Sequence, residues 1–236
     1  MTSIEVVPSD YDFKGCTLIT GFHGIGATGY WTVKYMIQKL NAERVAYVDS
    51  ELTAPVAANL GGKLVTPHEL YRSGNLVFLK IEVPVYRDHE VSFYRSMASW
   101  IAKAGFEEAA LIGGLDASLR IDEGTHRIVY TKAFKPRGVL LDSKVLEDDR
   151  IIVGPVAVLL NRFEILNFPA YAILAYASME RIDPRAASAA IDVISKLYGI
   201  SIDTETLIKS AEALERESIK EERPEPERER GGAMYT

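Results

Sequence analysis

Three short segments of this chain combine residue types and spacings that could do chemistry. Gly24-Ile25-Gly26-Ala27-Thr28-Gly29 is a literal G-x-G-x-x-G, and Asp49 lies twenty positions after Gly29. Between a strand and a helix, that pattern would set a dinucleotide pyrophosphate on helix N-terminal amides and a carboxylate on the ribose. A tight strand-to-helix turn needs glycines whatever it binds, however. Phe22 and His23 also intervene after Gly21, whereas in a dinucleotide site the first glycine comes almost directly off the strand. The second segment is Arg87-Asp88-His89-Glu90. His89 and Glu90 could form an acid/base pair, with Arg87 binding an anion. The plainer reading is a solvated loop that caps the next helix through Asp88. The third segment is Met234-Tyr235-Thr236, where the chain stops on an apolar residue, a tyrosine and a carboxylate. Pockets that capture a C-terminal carboxylate are a known recognition mode. The plainer alternative is a tail end with no partner.

Other reaction types find no support. His23, His68, His89 and His126 share no metal-ligand spacing, and neither a G-x-S-x-G elbow nor a phosphate loop ending in Gly-Lys-Ser/Thr occurs. No cofactor is expected. Cys16 is the only cysteine, so an intramolecular disulfide is impossible and a reducing compartment is the natural expectation. It sits in an apolar run, where a thiol is a poor nucleophile. With 27 Lys and Arg against 33 Asp and Glu, the net charge of −6 argues against nucleic acid and anionic membranes as partners. No apolar run approaches the ~20 residues of a spanning helix, and no signal peptide is evident, so a cytoplasmic protein is expected.

The elements that must position these residues alternate between strand and helix. Cys16 to Thr20 reads as a buried strand between Gly15 and Gly21. A helix follows from Ala27 to Leu40, with Val33, Met36, Ile37 and Leu40 on one face. Arg44 to Val48 is the next strand, and Leu64 to Thr66 is a further candidate. Glu69 to Arg72 and Leu76 to Val83 flank the turn Ser73-Gly74-Asn75 as a hairpin. Val91 to Lys103 reads as a helix capped by Asp88 or Ser92. Ala109 to Ile112, Arg127 to Thr131, Ile151 to Val153 and Ala170 to Ala175 are strand candidates. Asp183, Pro184 and Gly199 mark the cap, first turn and stop of a helix from Pro184 to Tyr198. A last helix, Thr204 to about Glu222, fades into the charged tail. The alternation argues for an α/β three-layer sandwich around a mostly parallel or mixed sheet, with one core domain (1–212) and a helix end and tail (213–236).

The segment Gly21 to Leu40, GFHGIGATGYWTVKYMIQKL, resembles the proteasome assembly chaperone family in its archaeal branch. The resemblance continues at Leu111-Ile112-Gly113-Gly114-Leu115, from Gly154-Pro155 to Leu160, and at Asp183-Pro184-Arg185-Ala186-Ala187, and covers roughly residues 15 to 210. It implies a fold related to the nucleoside-phosphorylase-like α/β proteins without their chemistry. It also implies a homo-oligomer, and a purely architectural role for Gly24, Gly26 and Gly29. Some family members end in a hydrophobic-Tyr-any triplet that docks between proteasome α subunits, and Met234, Tyr235 and Thr236 match it position for position.

The expectation is therefore a non-enzymatic, oligomeric factor that assists proteasome assembly or activates the proteasome, with proteasome α subunits or a related assembly as partner. A scaffold that binds through its core surface is one alternative. A nucleotide- or phosphate-binding enzyme using the Gly24 to Gly29 turn is the other.

Overall fold

Continuous apolar runs bury the central strands on both faces. The computed structural model describes residues 4–209. In chain order these form β1 (Glu5–Val7), β2 (Thr17–Gly21), α1 (Thr28–Lys39), β3 (Glu43–Asp49), β4 (Ala58–Leu60), β5 (Lys63–Val65), β6 (His68–Ser73) and β7 (Leu76–Ile81). Then come α2 (Arg87–Ile101), β8 (Glu108–Asp116), β9 (His126–Tyr130), α3 (Pro155–Ile165), β10 (Ala170–Ala177) and α4 (Pro184–Tyr198). A further helical segment begins at Glu205. The rest of the expected last helix and the tail 213–236 lie outside the described residues.

An eight-stranded sheet has the order β1-β3-β6-β7-β2-β8-β10-β9, with β4 and β5 forming a separate hairpin. The four central strands β7, β2, β8 and β10 are parallel; the outer strands pair antiparallel. Every residue of β2, β7 and β10 is buried. One face packs on α2 and α3 through Leu18, Leu111, Met97 and Phe163. The other packs on α1 and α4 through Ile19, Ile112, Met36 and Ile191. The three-layer expectation with a mixed sheet is therefore correct.

The hairpin forms as expected, with Gly74 at φ +60° in its turn. So does α4: the Asp183 carboxylate accepts from the Arg185 and Ala186 amides, and Gly199 closes the helix at φ +64°. Three expectations need correction, and one helix was not foreseen. Ile151 and Val153 are not in a strand; they are 86% and 78% exposed and pair with no strand among the described residues. The elements read from the sequence leave out α3, which Pro155 begins at its first turn. Its buried residues Val156, Leu159, Leu160 and Phe163 follow the i, i+3, i+4, i+7 spacing of a helix face. α2 starts at Arg87, and Tyr86 precedes it without a side-chain cap, so neither Asp88 nor Ser92 caps it. Finally, β8 continues through Gly113 and Gly114 to Asp116.

Candidate functional site

The ends of the parallel strands β7, β2, β8 and β10 define one edge of the sheet, and the glycine turn lies there. Gly26 has φ +62°, and a Cβ on it would sit 2.8 Å from the Ala177 Cβ. A Cβ on Gly29 would overlap the Ile112 carbonyl oxygen and the Phe22 nitrogen, and one on Gly114 would overlap the Ile25 carbonyl. These glycines let α1 start in direct backbone contact with β2 and β8. Gly24 differs: a Cβ there would meet nothing within 4 Å. Of Gly24, Gly26 and Gly29, the last two are sterically required.

The groups around the start of α1 are spent on the chain itself. The Tyr30 amide donates to Phe22 O (3.1 Å), the Asp183 amide donates to Gly26 O (2.9 Å), and the Thr28 hydroxyl donates to Ile25 O (2.9 Å). Asp49 ends β3, which β6 and β7 separate from β2. In a dinucleotide fold the carboxylate comes from the neighbouring strand. The dinucleotide constellation is therefore not assembled.

Beneath the turn lies a chain of alternating charges that joins α1 to β7, β6 and β3. Lys34 ion-pairs with Glu82 (3.6 Å), which also accepts from the Tyr30 hydroxyl (2.9 Å). Lys80 bridges Glu82 (3.1 Å) and Glu69 (3.2 Å), and Glu69 pairs with Arg44 (2.8 Å). The Tyr71 hydroxyl and the Thr66 amide donate to Glu69 as well. Burial works to raise both carboxyls, but the surrounding donors outweigh it and hold Glu69 and Glu82 below the usual carboxylate range. Burial also pushes His68 down to about 4. The ring is fully buried near Phe93, and its Nε2 has no hydrogen-bond partner among the described residues.

On the α2/α3 side of this edge is a cleft of about 390 Å³, lined by His23, Gly24, Arg87, Glu90, Tyr94 and Gly154 among others. Here the structure joins residues far apart in sequence. His23 follows β2, Arg87 and Glu90 belong to the first turn of α2, and Gly154 precedes α3. His89 does not line the cleft, so the His89–Glu90 acid/base pair is not formed. Adjacent helix residues diverge by about 100°, which explains the separation. Desolvation lowers the His23 pKa, and its ring stacks 3.9 Å from Tyr30. Tyr94 has no signal in the sequence beyond its place one turn after Glu90.

Tyr30 and Tyr35 are core residues, and Trp31 packs against the same core. Cys16 is buried, and desolvation raises its thiol. No group of three or more His, Cys, Asp or Glu among the described residues could hold a metal ion. No helix among them is long and apolar enough to cross a membrane. Met234, Tyr235 and Thr236 lie outside the described residues.

The sequence pattern of the PAC2 family matches residues 18–221. This chain belongs to the PAC2 family. It is 32% identical over 136 residues to proteasome assembly chaperone 2 of Danio rerio, a match covering 53% of this chain. The chain spans about half the length (51%) of that curated relative. Two solved structures from Pyrococcus furiosus share the fold. PbaA, an archaeal homologue of proteasome-assembly chaperone, superposes with TM-score 0.76 at 20% identity, covering 93% of this chain and 96% of PbaA. PbaB, an archaeal proteasome activator, gives 0.74 at 20% identity, covering 94% and 99%. In this PAC2 protein the loop Phe22-His23-Gly24 both leads into the glycine turn and lines the cleft.

Proposed function

We propose that this PAC2 chain is a non-enzymatic, oligomeric factor of proteasome assembly or activation that works in the cytoplasm. It docks proteasome α subunits through Met234, Tyr235 and Thr236. The observation that carries the reading is the match to a relative named for proteasome assembly, within a family pattern spanning most of the chain. The fold shared with an archaeal proteasome activator supports it. The chemistry of the triplet suits capture. A carboxylate pairs with a basic group, the tyrosine ring packs and offers its hydroxyl, and methionine fills irregular apolar space. About fourteen residues beyond the expected last helix give a reach on the order of 20 Å. Several tails on one oligomer would add avidity to a weak hook.

A second reading, binding through the core surface, is favoured by the exposed apolar side chains Tyr86, Val91, Ile151 and Val153 on the two segments flanking the cleft. Truncation separates the two readings. A chain ending at Ala233 should lose proteasome α subunits from a pull-down while its circular dichroism and melting temperature stay unchanged. Retention of the same subunits by the truncated chain overturns tail docking in favour of the core surface. Failure of both chains to retain α subunits overturns the proteasome reading itself.

A further inference from the structure

We propose that the cleft between the loops after β2 and β7 binds a small oxyanion that carries a proton, inorganic phosphate being the simplest. Its position comes from topology. The chain leaves β2 into α1 on one face of the sheet and leaves β7 into α2 on the other, although β2 and β7 are neighbours. The two loops part at that point and open a crevice beyond the strand ends, the place where α/β sheets accommodate ligands. The volume of about 390 Å³ suits a small molecule.

The lining is polar and unspent. His23, Arg87, Glu90 and Tyr94 all border the cleft, and none makes a hydrogen bond or ion pair with another described residue. Tyr94 is the most telling of the four. Only 2% of it is exposed, yet its hydroxyl has no partner among the described residues. The hydroxyl oxygen itself keeps some exposure, and a water or ligand in the cleft that Tyr94 lines can supply its partner. Burial, with Glu90 close by, raises the Tyr94 pKa, so the hydroxyl remains a donor.

Two helices also begin at this cleft. α2, of 15 residues, and α3, of 11, both start without a side-chain cap, behind Tyr86 and Gly154. Their first-turn amides and dipoles favour negative charge, and Arg87 adds a full positive charge. Glu90 works against a bare anion. Its Oε1 lies 3.9 Å from where a Gly154 Cβ would be, at the start of α3. A carboxylate there accepts a hydrogen bond from an anion that retains a proton and repels one that does not. The donors Arg87, Tyr94 and the helix amides, set against the single acceptor Glu90, therefore select phosphate over sulfate. The inference is independent of the tail, and it makes no use of the Ala27 and Tyr30 amides, which donate within the chain.

Calorimetric titration of the full chain with phosphate and with sulfate near neutral pH tests the assignment. Amide chemical shifts of Gly24, Arg87 to Tyr94, Gly154 and Val156 locate the site. Phosphate is expected to bind at least about fivefold more tightly than sulfate, with shifts confined to those segments. Arg87→Ala and Tyr94→Phe should each weaken phosphate about tenfold, the scale of one lost charge-assisted hydrogen bond. Tyr94→Phe keeps the ring that packs on Phe22 and Phe93, so its fold is preserved. Glu90→Gln should erase the preference by admitting sulfate, because an amide can donate where the carboxylate cannot. Absence of binding at millimolar phosphate overturns the proposal. So does equal affinity for the two ions, or phosphate binding that both Arg87→Ala and Tyr94→Phe leave intact.

Discussion

Lys80→Met isolates the most buried cation of the charge network. The Lys80 side chain is 8% exposed and holds together two carboxylates, one fully buried (Glu69) and one 14% exposed (Glu82). Removing one partner of a buried pair leaves an uncompensated charge and typically destabilises by 3–5 kcal/mol. Here both carboxylates keep other partners: Glu69 retains Arg44 at 2.8 Å and Tyr71 at 2.7 Å, and Glu82 retains Tyr30 at 2.9 Å. The loss should therefore fall at the low end, about 3 kcal/mol, or a fall of roughly 1–2 M in the urea midpoint. The pH dependence gives a second readout. In the wild type both carboxyls are held below their ordinary value, so their stabilisation is complete above that value and is lost as pH falls through the lower folded values. Without Lys80 both carboxyls move upward and protonate sooner, which relieves the uncompensated charge. The difference between wild type and variant should be largest at neutral pH and shrink below about pH 5. A loss under about 1 kcal/mol, or a difference that does not change on acidification, would refute the account of this network as a compensated buried charge chain.

Two further measurements address the same edge of the sheet. His68 titrates near 4 when folded against 6.5 when free, so the unfolded chain binds the extra proton. Stability should be complete above pH 6.5 and decline by about 3 kcal/mol as pH falls toward 4, and His68→Leu should remove that part of the slope in urea unfolding. Gly29→Ala should cost at least about 3 kcal/mol or prevent folding, because the new methyl overlaps backbone atoms of Ile112 and Phe22. Gly24→Ala, facing open space, should cost under about 1 kcal/mol, and equal melting temperatures for the two variants would contradict the packing described for the turn.

Local chemistry fixed whatever depends on a few neighbouring residues. Asp183, Pro184 and Gly199 delimit α4 because capping and stop geometry are properties of three or four consecutive positions. The turn at Gly74 and the buried β2 are legible for the same reason. α3 was also written in the chain, in the spacing of Val156, Leu159, Leu160 and Phe163, but Val-rich apolar runs read equally well as strand. The G-x-G-x-x-G shows the limit of a motif. The sequence shows that a strand turns into a helix through glycines, but only the packing of Ile112, Ala177 and Asp183 shows what fills the space they leave. Strand order lies equally out of reach of local pattern. That β7 sits beside β2 while their helices depart to opposite faces depends on long-range pairing, and it creates the cleft. His23, Arg87, Glu90 and Tyr94 come from two separate stretches of chain, and no spacing rule links them. They meet because two parallel strands end at the same edge, and that arrangement is decided only when the sheet assembles.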